Sequence, residues 1–311
     1  MATTTIPALF TITLMVLCRS QFTFEGGEYK CEGDESCAGV TDSAEITNLI
    51  CSGFASCYAA TLDLTCGDEK CNIECGEEDA CTQAAISLDR GAESVTCGEP
   101  RACQDAQLTL TDVYNGFKIE CSDEEACKNV IIAAELSDTD SEAHMDEFQC
   151  DGESTCKHAQ VSLNRLEKFS CEGYRACYEG DFNFVNVADN FVMQCEGDSS
   201  CRGADVHLTF DSGATQQSVE SIECESSQAC EYLSISIDNQ SSDTVVIKEL
   251  KCEGFQSCGY LSFSVSGDVE IEKCICEDPE PYACLCTSGL DAICNTFEGV
   301  WSSSSSVYTC V

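Results

Sequence analysis

The chain of 311 residues carries 56 acidic against 15 basic side chains, a formal charge of −41, and 29 cysteines against three histidines. That charge excludes nucleic acid and anionic membrane surfaces as partners, and the cysteine usage excludes a reducing cytosol, where it would be a large pool of free thiols. Disorder is excluded as well, because 43% of the residues are hydrophobic and they recur in register.

The N-terminus opens with an apolar run, Ile6 to Cys18, too short to span a bilayer and followed by Cys18-Arg19-Ser20 with small residues at the −3 and −1 positions of a cleavage site. Residues 1–20 therefore read as a signal peptide, although no Lys or Arg precedes the apolar run. Its removal takes Cys18 away and leaves 28 cysteines, an even number that allows complete pairing. No second apolar stretch long enough for a membrane span follows, so a secreted, extracellular protein without membrane insertion is expected.

From residue 31 onward a Cys-x5-Cys unit recurs ten times: Cys31/Cys37, Cys51/Cys57, Cys75/Cys81, Cys97/Cys103, Cys121/Cys127, Cys150/Cys156, Cys171/Cys177, Cys195/Cys201, Cys224/Cys230 and Cys252/Cys258. The first cysteines are 20 to 29 residues apart, a small residue (Ser or Ala, once Thr) precedes the second cysteine, and most units carry Gly one or two residues after the first. Two residues before each first cysteine stands an apolar side chain, from Tyr29 and Leu49 to Ile222 and Leu250. After the second cysteine, positions +3, +5 and +7 are apolar or small in nine units, as in Ala60/Leu62/Leu64 and Leu261/Phe263/Val265. Alternation with period two marks a strand with one buried face. Each repeat thus reads as a short strand ending at the first cysteine, a tight acidic bend, a longer strand and a variable return loop.

Two strands per turn with no room for a helical crossover predict an all-β protein, a parallel β-helix (β-solenoid) whose rungs stack at ~4.8 Å into a rod of roughly 45–50 Å. Residues 21–50 form an N-terminal cap and first rung, with Asp42 at a position that is otherwise apolar. Residues 51–268 are the repeats. Residues 269–311 break the pattern with Cys274, Cys276, Cys284, Cys286, Cys294 and Cys310 and read as a disulfide-rich C-terminal cap that blocks an open solenoid end.

Two disulfide schemes fit the repeat: closure of each bend on itself, or pairing between stacked cysteines of adjacent rungs. Local closure is favoured, because the second cysteine is one step off the inward parity of the next strand. That parity places it in the bend with its partner rather than in a stacked core. Cys66 with Cys71 makes an eleventh pair. In an extracellular chain disulfides also win over metal ligation for Cys274 to Cys286. His144, His158 and His207 share no metal-ligand spacing, and no G-x-S-x-G elbow or comparable catalytic arrangement occurs. No catalytic residue, resident cofactor or enzymatic activity is expected.

The acidic bends, among them Glu77/Glu78/Asp79 and Asp123/Glu124/Glu125, would stack into an acidic ridge and are the candidates for weak calcium binding. The outward positions of the longer strands, such as Gln107/Thr109/Thr111 and Ser262/Ser264/Ser266, would make a flat face of small polar groups. The fourteen Lys and Arg that follow residue 20 show no cluster. Asn239-Gln240-Ser241 is a candidate N-glycosylation sequon.

From Cys31 to Cys258 the C-x-G-x-x-[SA]-C repeat resembles that of secreted cysteine-rich parallel β-helix proteins of algae and other protists, mostly surface or matrix components. The resemblance implies a structural or adhesive role with the chain itself as partner. Extracellular glycans are the alternative partner, and a polysaccharide-active β-helix enzyme is the third reading.

Overall fold

The computed structural model describes residues 22–25, 27–67, 70–136, 143–212 and 218–277, with short strands at Leu285–Cys286, Phe297–Ser303 and Val307–Thr309. The fold is the predicted one. Two parallel sheets run side by side along a solenoid, and the described residues contain no helix. Sheet A collects the strands that carry the first cysteines, from Glu28–Glu32 to Val245–Glu253, and sheet B those that follow the second cysteines, from Thr41–Ile46 to Ser262–Ser266. The rungs are numbered below by their Cys-x5-Cys units, rung 1 at Cys31 and rung 10 at Cys252.

Register explains the sequence pattern. The first cysteines stack in one unbroken file, Cys31 beside Cys51, Cys51 beside Cys75 and so on to Cys252. The apolar residue two positions earlier makes a second file, in which Phe148, Phe169 and Met193 lie side by side. Sheet B returns Leu62, Leu64 and their equivalents to the same core. In rungs 6 and 7 the core turns aromatic: Phe169 lies 4.7 Å from Phe182 and 5.2 Å from Phe184, ring centre to ring centre. Gly180 occupies a position that is Ala in its neighbours, because a Cβ there would meet the Phe182 ring at 2.6 Å.

All ten units close locally, with Cα–Cα distances between 5.6 and 6.0 Å, and Cys66 pairs with Cys71. Each bend repeats one backbone path. The fourth residue after the first cysteine is left-handed in every rung (Glu35, Ala55, Asp79, Arg101 and onward to Gln256), and so is the eighth, from Gly39 to Tyr260. Amides of alternate bend residues then donate to the next rung: Glu35 N–H to Phe54 O, Cys37 N–H to Ser56 O, Gly39 N–H to Tyr58 O. The C-x-G of the repeat has its reason here. Gly173 has φ +127°, and a Cβ on it would sit 2.6 Å from the carbonyl oxygen of Gly152 in the rung before.

The pairing is as expected, but the placement of the second cysteines is not. Cys37, Cys57, Cys81, Cys103, Cys127, Cys156, Cys177, Cys201, Cys230 and Cys258 are all fully buried and belong to the core cluster, where strand parity had put them in the bend outside it. The left-handed residues two places before and two places after each of them break the simple in-and-out alternation and turn the sulfur inward. Cys156, joined to Cys150, is itself left-handed at φ 53°. Cys201, joined to Cys195, donates its amide to Ala229 O, and Cys230, joined to Cys224, donates its amide to Ser257 O, each at 2.7 Å, so the second cysteines are tied rung to rung as well as to their partners.

The ends differ from the middle in two ways. Phe22–Glu25 folds back antiparallel on Glu28–Glu32 and covers the first edge of sheet A, while the buried Tyr29 hydroxyl donates to Asp42 Oδ2 at 3.0 Å. Burial and that carboxylate push the Tyr29 phenol well above its ordinary pKa. At the other end the expected break at residue 269 is a continuation. Val269–Glu277 adds a further strand to sheet A, with Cys276 beside Cys252 and Cys274 beside Leu250, so the cysteine file enters the segment expected to be only a cap. Cys274 and Cys276 are disulfide-bonded. Cys284, Cys294, Cys310 and residues 1–20, read as a signal peptide, lie outside the described residues, and of Cys286 only the backbone strand is described.

The small residue before each second cysteine is buried between the sheets and the disulfide, and its hydroxyl is tolerated rather than used. Ser36, Ser56, Ser200 and Ser257 have buried Oγ atoms with no hydrogen-bond partner, whereas Thr155 Oγ1 donates to Asp123 O at 2.6 Å. Two opposite outcomes are therefore expected in thermal unfolding. Ser257→Ala removes an unsatisfied buried hydroxyl and should hold or raise stability by about 1 kcal/mol. Gly173→Ala, which adds one methyl group against backbone in a left-handed conformation, should cost about 2 kcal/mol or more.

Candidate binding surfaces

Three outward surfaces repeat along the rod, and each is a set of files one rung apart. On sheet B the central file reads Ser43, Asp63, Ser87, Thr109, Ala133, Ser162, Asn183, His207, Ser236 and Ser264, held in register by parallel pairing throughout. Small side chains keep this face flat. Its outward positions include no Lys or Arg, and its polar groups bridge rungs, as Thr111 Oγ1 does to Asp89 Oδ1 at 3.0 Å. Short side chains dominate this face, but Glu45, Asp63, Asp89, Glu135, Asp181, Asp205 and Asp238 add seven carboxylates to it and Ile131 one exposed apolar group.

The acidic ridge is not where the sequence reading put it. Glu77, Glu78 and Asp79 lie in the bend of rung 3, and Arg101 reaches back from rung 4 to take both Glu78 and Asp79, the latter through Nε at 2.8 Å. That ion pairing holds the Arg101 guanidinium above its ordinary pKa. Asp123, Glu124 and Glu125 lie in rung 5, where Lys128 Nζ is 2.6 Å from Glu125 and Asp123 Oδ1 accepts the Glu124 amide. Since Arg101 stands between Asp79 and Glu125 in the same file, the calcium candidates form two separated clusters, each holding a cation of the protein's own. The continuous acid file runs instead along the edge of sheet A: Asp151, Glu172, Glu196, Glu225 and Glu253 are neighbours in consecutive rungs.

Stacked carboxylates ~5 Å apart repel by somewhat under 1 kcal/mol per pair even at the dielectric of water. The register carries the file on to Glu277, and Lys251 relieves it between Glu225, at 2.9 Å, and Glu253, at 2.7 Å. Glu196 in the middle has no such partner close by. Burial, then Glu172, Glu225 and Glu223, raise its carboxyl above the usual 4.5, with Lys168 opposing.

The cysteine sulfurs of neighbouring rungs approach within 4.8 Å, as at Cys31, Cys51 and Cys57, but each is spent in a disulfide and offers no thiolate to a metal. The histidines stay apart, each beside carboxylates: His144 with Glu167 at 2.9 Å, His158 with Glu179 at 3.6 Å, His207 with Asp181 at 3.9 Å. Asn239, the candidate glycosylation site, is the last residue of the strand Ser234–Asn239. It is buried, its Nδ2 donates to Asp243 O and Asp268 O at 2.8 Å each, and its Oδ1 accepts from the Ser241 amide and hydroxyl. A glycan on that nitrogen would cost the folded rung both donor bonds.

Sequence reasoning also missed a surface. Lys157, Arg175 and Arg202 are far apart in the chain, yet consecutive bends bring them together around Tyr174, Tyr178 and Tyr232. Aligning the ten units by their first cysteine and reading down the seventh residue (Lys128, Lys157, Tyr178, Arg202) would have shown it. No protein-family model, curated protein or solved structure matches the chain.

A pH dependence follows from Glu196. Its folded-state pKa lies above the unfolded value, so its contribution favours the folded state most fully below about 4.5 and is lost as pH rises through the folded pKa. Glu196→Gln should therefore raise the melting temperature at pH 7. It should also shrink the gain that the wild type shows when acidified from pH 7 toward about 5, in calorimetry at constant ionic strength.

Proposed function

We propose that the protein is a secreted structural or adhesive component of an extracellular surface, matrix or fibre, with other copies of itself as its first partner and no enzymatic activity. The supporting observation is the sheet B face. Ten in-register strands present mostly short polar side chains, seven carboxylates among them and not a single Lys or Arg, on a rod stapled in every rung. Such a face can meet a second one closely, since few long side chains must be ordered on contact. Disulfides in this number are typical of extracellular proteins, and no helix among the described residues is long and apolar enough to cross a membrane.

A charge of −41 opposes association at low salt, so assembly should strengthen as salt screens it. Electron microscopy and sedimentation of the purified mature protein are expected to give filaments or lateral arrays at physiological salt. Ser162→Arg with Ser236→Arg, two long cations placed on the flat face, should abolish them without changing the melting temperature. Monodisperse rods at every salt and protein concentration would overturn the self-assembly reading.

A further inference from the structure

The described residues expose seven large hydrophobic side chains, and six of them, Phe54, Tyr58, Tyr174, Tyr232, Phe255 and Tyr260, stand on the bends. Four of those six fall in rungs 7 to 10. The core hides its aromatic rings completely, so rings left about half exposed, such as Tyr232 at 51% and Tyr260 at 43%, are an apolar surface that folding does not use.

Tyr174, Tyr232 and Tyr260 belong to one row with the half-buried Tyr178. Lys157 Nζ lies 5.3 Å from the centre of Tyr178, and Arg175 packs over Tyr174 and Tyr178 at 5.0 and 5.5 Å. Arg202 lies 5.8 Å from Tyr232, which is stacked on Tyr260 at 4.9 Å with the ring planes 1° apart. Backbone bonds from His158 to Tyr178, Glu179 to Arg202, Gly203 to Glu231 and Tyr232 to Gly259 fix the spacing. The result is a ridge roughly 20 Å long at a rung repeat of ~4.8 Å, with its members already ordered before any ligand arrives.

The charge of this ridge narrows the ligand. At the third, fourth, seventh and eighth residues after the first cysteine, rungs 6 to 10 hold three Lys or Arg against four carboxylates, while rungs 1 to 5 hold two against seven. A polyanion would be repelled by the molecule as a whole, and a polycation would settle on the acidic bends or on the carboxylate file of sheet A. What suits a narrow, nearly neutral, aromatic row is an uncharged linear polymer with apolar faces and hydroxyl edges, which is the chemistry of a neutral polysaccharide. Aromatic rings take the C–H faces of pyranose units, and the planar polar groups beside them bond the hydroxyls. The amides of Gln228 and Gln256, bonded to each other at 3.3 Å in the same two bends as Tyr232 and Tyr260, are such groups.

We propose that the bend ridge of rungs 6 to 10 is a binding site for a neutral glycan chain lying along the rod axis. It rests on the extracellular reading above but not on self-assembly. The test is native affinity electrophoresis of the full mature protein through gels containing soluble β-glucan, xylan or galactomannan, with alginate as the polyanionic control. At least one neutral polysaccharide should retard the protein, and alginate should not. Tyr232→Ala with Tyr260→Ala, and separately Tyr174→Ala, should weaken that retardation about tenfold or more at unchanged melting temperature, Tyr232→Phe with Tyr260→Phe should largely keep it, and the flat-face arginine variant should bind as the wild type does. Absence of binding to every neutral polysaccharide would overturn the proposal, as would retardation that survives the alanine variants. Loss of sedimenting assemblies in the alanine variants without any glycan binding would also overturn it, and would make the ridge a contact between copies. Filaments that form alike in wild type and ridge variants would leave the assembly reading standing whatever the gels show.

Discussion

The closed bend between the two strands of each rung is the constraint from which the other features follow. A disulfide between residues six apart pins the bend at 5.6 to 6.0 Å, and left-handed residues at the fourth and eighth places turn alternate amides along the rod axis. In the flanking sheets parallel ladders point their bonds both ways; in the bends every second N–H closes a turn within its own rung, and the alternate ones between them face the following rung. Their dipoles therefore add from rung to rung, as they do in a helix. Each staple limits the unfolded chain by about 2 kcal/mol on the loop-entropy account, and the same closure makes identical bends stackable.

Stacking multiplies the consequence of every residue choice. One glutamate on a surface is unremarkable, but five carboxylates in register from Asp151 to Glu253 are a line of repulsion that Lys251 interrupts and that leaves Glu196 reluctant to ionise. Arg101 does the equivalent service between two acidic bends. With so few cations for so many carboxylates, their placement one rung from the charges they answer is what makes this composition compatible with a compact rod. In rungs 6 to 8, Lys157, Arg175 and Arg202 lie against tyrosines, and Arg202 also reaches Glu231 of the next rung at 2.9 Å.

Much of the architecture was legible because two periods coexist in the sequence. The Cys-x5-Cys unit announces the rung, and the period-two alternation after it announces which face is buried, so the sheets and their register could be read directly; the local pairing of Cys31 through Cys258 was favoured over pairing between rungs only by a parity argument, and it holds although the second cysteines lie in the core. Backbone conformation could not be read. Nothing in Glu35, Asp79 or Gln256 declares a left-handed φ, and that recurring conformation decides which bend side chains share a file. It also carries second cysteines such as Cys156, Cys201 and Cys230 into the core, where counting strand parity leaves them outside. For the same reason the acidic ridge was expected across the bends, where Arg101 breaks it, and the file on sheet A was overlooked. A sequon triplet likewise says nothing of the Asn239 amide that closes its own turn. The extra strand ending at Glu277 was hidden because Leu250 is followed in its file by Cys274, which interrupts the apolar pattern while keeping the register.

Local covalent closure of each bend as the source of the rod's stability is tested most directly by reduction and alkylation of the purified mature protein, with thiols counted and the far-ultraviolet circular dichroism recorded in the same sample. Rungs this short bury too little to hold themselves, so loss of the bend staples should abolish the β-type spectrum as the thiols are released. A fully reduced protein that keeps both its β spectrum and its melting temperature would contradict the account.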